Sequence, residues 1–137
     1  MPDTTAPVAT APGGNPAPGF VRKPDHVVGF MPAGVRVTVR LGGEVIAESD
    51  RAVLCEESGR DPVYYVPMTD TRASLFRPTA TRSHCPFKGD ASYWSVSAGG
   101  KDARDAAWSY DLPYDEAAPI RGHVAFYPNR VDSIDVG

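Results

Sequence analysis

The sequence predicts an all-β fold, a small antiparallel barrel or two packed sheets, with one short helix around residues 69–76. Three observations carry this reading. VRVTVRL (35–41) alternates apolar and polar residues without a break, which is the period of a half-buried strand. Turn-forming residues recur every ten or so positions from there onward, the spacing of short strands in sandwiches and barrels. MTDTRASLF (68–76) is the one plausible helix, with Thr69 or Asp70 as N-cap and Arg77-Pro78 as its stop.

The elements follow in order. Residues 1–19, MPDTTAPVATAPGGNPAPG, hold a single charged side chain, Asp3, and many Ala, Pro and Gly; such a segment buries little and reads as a disordered tail. Residues 20–137 read as a single β domain. From Phe20 to Gly34, apolar residues are interrupted by Pro24, Gly29 and Pro32, so irregular docked chain is expected. After the 35–41 strand, Gly42-Gly43 suits a two-residue hairpin turn, and EVIAES (44–49) returns as its partner. RAVLCEE (51–57) is a third strand. VYYV (63–66), rich in β formers, is a short one stopped by Pro67. ASYWSVS (91–97) and ARDAAWSY (103–110) form a second hairpin with one Trp in each arm, and HVAFY (123–127) is the last strand.

The bulk numbers exclude several function classes. With 137 residues, 42% hydrophobic and 23% charged, the chain can bury one core. A net charge of −3 and a pI near 5.5 give no electrostatic footprint for nucleic acid and no polybasic membrane anchor. No apolar run reaches the length of a transmembrane helix. No charged start with an apolar h-region is readable, so a cytoplasmic location is expected. Cys55 and Cys85 are too few for a disulfide framework, and a bridge between them needs two buried positions to meet.

Chemistry concentrates in SHCPFKGDASYW (83–94). Cys85 is the candidate nucleophile, with His123 as its base; the alternative is a small buried hydrophobe at a turn. His84 is adjacent and points to the opposite side of an extended chain. Lys88, beside Gly89 in a turn, either meets an anionic ligand group or is a solvated turn residue. Six tyrosines and two tryptophans in one small domain suit an amphipathic pocket. Tyr64, Lys88, Tyr93, Trp94 and Trp108 are therefore the candidate ligand-binding residues. The histidines and cysteines lack paired metal spacing, so neither metal nor cofactor is expected. Glu56 and Glu57 face opposite ways on a strand, and there is no Gly-x-Ser-x-Gly elbow.

Five blocks, RVTVRLGGEVIAESDRAVL, PVYYVPMTD, CPFKGDASYW, AAWSYDLPY and GHVAFYPNRVD, occur in order from about residue 35 to 132. Together they resemble the DUF427 family of small bacterial proteins. The family often has Thr two residues before the cysteine of the third block; Ser83 keeps the hydroxyl. The resemblance implies a compact, mostly β domain of unknown activity. A nucleotidyltransferase label sometimes attached to the family implies paired carboxylates for Mg²⁺ beside a Gly-Ser turn. This chain has no Asp-x-Asp and no Gly-Ser dipeptide. The leading expectation is a domain binding a small organic, possibly anionic, ligand near Cys85 and Lys88. An enzyme using Cys85 and His123, and a homodimeric module pairing through an exposed strand edge, are the alternatives.

Overall fold

A computed structural model describes residues 14–137. Of the segment read as a tail, residues 1–13 lie outside the described residues. Residues 14–19 run along the domain: Ala17 is buried, its N–H donates to Glu116, and the Asn15 N–H donates to Asp115. A single turn of helix, α1 (Gly19–Arg22), follows. Among the described residues no helix is long and apolar enough to cross a membrane.

Among the described residues ten strands form two antiparallel sheets. The smaller has the order β10 (Ser133–Val136), β2 (Val37–Leu41), β3 (Glu44–Ser49). Its β2–β3 hairpin turns at Gly42-Gly43, both in the left-handed region with φ 60° and 80°, as the Gly-Gly pair predicts. The larger sheet has the order β1 (Val28–Pro32), β4 (Val53–Glu57), β5 (Val63–Pro67), β9 (His123–Phe126), β8 (Lys101–Tyr110), β7 (Gly89–Ala98), β6 (Phe76–Cys85). Among the described residues no barrel closes, and the fold is two packed sheets.

Both faces of the large sheet are covered, and this governs everything that follows. One face packs on the small sheet, with Val66, Val96, Val124 and Phe126 against Val37, Val39, Leu41 and Ile46. The other collects Cys55, Tyr65, Ala91, Tyr110 and Ala125 under Ala117 and Ile120 of the 3₁₀ segment Asp115–Ile120. Because side chains alternate along a strand, β7 sends Trp94 and Val96 to the first core and Ala91 and Tyr93 to the second.

The helix expected at 69–76 is not formed as one element. Two 3₁₀ turns, Met68–Asp70 and Ala73–Leu75, replace it. Between them Thr71 is extended (φ −107°, ψ 162°) and bridges Ala47 on the small sheet, and the Arg72 N–H donates to the Ile46 carbonyl. Asp70 caps nothing, because its carboxylate accepts from Ser49 and Arg51. Pairing with the sheet thus overrides local propensity. Residues 76–85 then form a ten-residue edge strand, β6, which admits Pro78 at a bulge, as edge strands do. β1 and β10 are likewise edge strands, β1 within the segment expected as irregular docked chain and β10 beyond the strand expected to be the last.

Candidate functional site

β4 places Val53, Cys55 and Glu57 on the second face, since residues two apart share a side. Glu57, at the end of the strand, meets Lys88 from the β6–β7 turn: Nζ donates to Oε1 at 2.5 Å, with the two side chains only 9% and 6% exposed. The other carboxylate oxygen is 2.8 Å from His26 Nε2 and 3.7 Å from Arg60 Nε. The His26 ring stacks on Phe87 at 4.1 Å between centroids. Burial alone would raise the Glu57 pKa; hydrogen bonds from Lys88 and His26 and the charges of Lys88 and Arg60 outweigh it and hold the group below the usual glutamate range.

The cluster roofs a cavity of about 780 Å³. Trp108 and Tyr127 rings lie 4.5 Å apart, and Tyr65 meets Trp108 edge-on at 6.2 Å across β9. There β9 contributes Ala125, opposite Trp108, whose methyl leaves the two rings room to meet. Tyr93 bonds Ser83 at 2.8 Å and receives the Tyr127 hydroxyl at 3.4 Å. Arg130 caps the Tyr127 ring at 4.5 Å, a cation–π contact. Burial pushes the Tyr127 phenol up to about 12, and it pushes Tyr65 and Tyr110 higher still. These phenols therefore remain neutral donors at any ordinary pH.

Both cysteines line the cavity as free thiols, Cys55 buried and Cys85 half-buried. Burial pushes the Cys55 thiol up, with the Lys88 charge opposing it. Among the described residues, no three His, Cys, Asp or Glu side chains converge as a metal site.

Of the sequence-chosen residues, the cavity brings together Cys85, Lys88, Tyr93 and Trp108. Tyr64 and Trp94 pack against the other core, Trp94 donating its indole N–H to Ser109. His123 does not line the cavity: its Nδ1 sits 2.9 Å from the Arg121 carbonyl, so it does not pair with Cys85. His84 is exposed and paired with Asp90 at 2.7 Å. Lys88 is committed to Glu57 rather than free for an anionic ligand. Sequence reasoning missed Glu57, His26, Tyr65, Tyr110 and Tyr127. For Glu57 a signal existed, because alternation puts it beside Cys55 on the face opposite Glu56.

Fold and site together define a two-sheet antiparallel β domain with an open, aromatic-lined cavity on the outer face of its larger sheet. Residues 30–137 match a family described as a domain of unknown function (DUF427), and the chain belongs to that family. No curated protein matches the chain.

Proposed function

We propose that this domain binds a small organic molecule in the cavity beneath the Glu57–Lys88 pair. The observation that carries the reading is a cavity of about 780 Å³ lined by Tyr65, Tyr93, Trp108 and Tyr127, whose rings pack against one another. That size and lining fit small-molecule sites, which combine apolar walls with a few fixed polar groups. An anionic ligand group would be met at the mouth, by Lys23 and the exposed Arg60, rather than by Lys88. Two free cysteines on the cavity wall support action in the reducing bacterial cytoplasm.

Thermal-shift screening of a library of small organic compounds tests this. A binder at about a hundred times its Kd adds roughly 2.7 kcal/mol and raises Tm by several degrees. Trp108→Leu is expected to abolish that shift. A library in which no compound raises Tm, or binders indifferent to Trp108, would sink the proposal.

A further inference from the structure

We propose that the cavity selects ligands carrying an uncharged carbonyl oxygen on a flat apolar body, and that the Tyr110 hydroxyl donates the hydrogen bond that receives it. The inference rests on the binding reading above and specifies its ligand class. Tyr110 lines the cavity and is only 7% exposed. Among the described residues no hydrogen-bond partner reaches its hydroxyl, whereas Tyr93 is held by Ser83 and Tyr127 by Tyr93. Buried hydroxyls are almost always partnered, so an unpartnered one on a residue that lines a cavity marks where a ligand's polar atom sits.

The chemistry of that atom follows from the surroundings. Burial keeps the Tyr110 phenol protonated, so toward a ligand it is a donor and the ligand atom is an acceptor. A charged acceptor is disfavoured there, because the buried cation of the cavity, Lys88, is already neutralised by Glu57, and a buried charge without a partner is costly. A neutral carbonyl satisfies the phenol without bringing a charge. The Tyr65 and Trp108 rings supply the apolar wall for the rest of the molecule.

The test uses 2-acetylnaphthalene and its hydrocarbon counterpart 2-ethylnaphthalene, with wild type and Tyr110→Phe, read by tryptophan fluorescence. The substitution is expected to weaken the ketone about tenfold and to leave the hydrocarbon unchanged or tighter. In the wild type, the infrared carbonyl stretch of the bound ketone is expected below its value in hexane. That measurement needs no variant, so it decides the matter even if Tyr110→Phe fails to fold. Equal effects of the substitution on both ligands, or an unshifted carbonyl band, overturn the carbonyl inference and leave the binding reading standing. Binding of neither ligand overturns the carbonyl inference, while the binding reading falls only with a library that holds no binder.

Discussion

Replacing Glu57 with Gln removes a charge on which Lys88, Arg60 and the His26 ring converge while keeping the shape of the side chain. In the folded protein Lys88 would then hold a buried ammonium, 9% exposed, against a neutral amide. Breaking one partner of a buried pair costs about 3–5 kcal/mol, and because Gln retains one acceptor for Lys88 the low end applies, about 3 kcal/mol. For a domain of this size that is a fall in Tm of about 10 °C. The pH dependence gives a second readout. Glu57 is held below its ordinary value of 4.5, so its contribution is complete above pH 4.5 and is lost as pH falls through the lowered folded value. The gap between wild type and variant is therefore widest at neutral pH and narrows in acid. Urea titrations from pH 3 to 7 measure it. The double variant Glu57→Gln/Lys88→Met should recover much of the loss, since no unpaired charge remains. A single variant within about 0.5 kcal/mol of wild type, or a gap that stays constant across this pH range, would refute the reasoning.

Two further outcomes are expected. Gly99 has φ 55°, and a Cβ there would lie 1.9 Å from the Gly42 carbonyl oxygen of the facing hairpin. Gly99→Ala should cost more than about 3 kcal/mol; Gly43→Ala, with φ 80° but open space around it, should cost about 1 kcal/mol, and equal Tm values for the two would contradict the close turn-to-turn contact. With an aromatic disulfide reagent, Cys85 of the folded protein should form a mixed disulfide and release one aryl thiolate from the reagent, while the buried Cys55, its pKa pushed up, reacts only on unfolding; two equally fast thiols would overturn that assignment.

The legible parts of the fold were those in which local pattern and tertiary role agree. The 44–49 strand matches β3, and the Gly-Gly turn before it is where alternation and turn chemistry put it. The two long arms of the β7–β8 hairpin contain the predicted segments and extend beyond them. Edge strands β1 and β10 are not legible, because their partners β4 and β2 lie far along the chain; β6 pairs with the next strand, β7, but Pro78 and its mostly exposed polar residues hide the alternation of a strand. For the site, alternation along β7 puts Tyr93 and Trp94 on opposite faces, as the two cores show. It could not say which member faces a cavity, since both faces of the large sheet are covered. Glu57 was set aside as a poor acid–base partner for Glu56, yet its role comes from Lys88, thirty-one positions away. No local pattern encodes that meeting.

Glu57 and Lys88 belong to opposite margins of the seven-stranded sheet, one on the β1–β4 side and one on the β6–β7 side. Their contact joins the margins by charge where the backbone leaves a gap. Such a closure forms only after the intervening strands have registered, because long-range contacts must first repay the entropy of loop closure. The cavity is thus a late product of folding and an early casualty of fraying at either margin. Its occupancy reports on the cooperativity of the whole sheet rather than on any one hairpin. Amide exchange in β1 and in residues 76–82 of β6 should therefore slow when the cavity is filled, although none of these residues lines it.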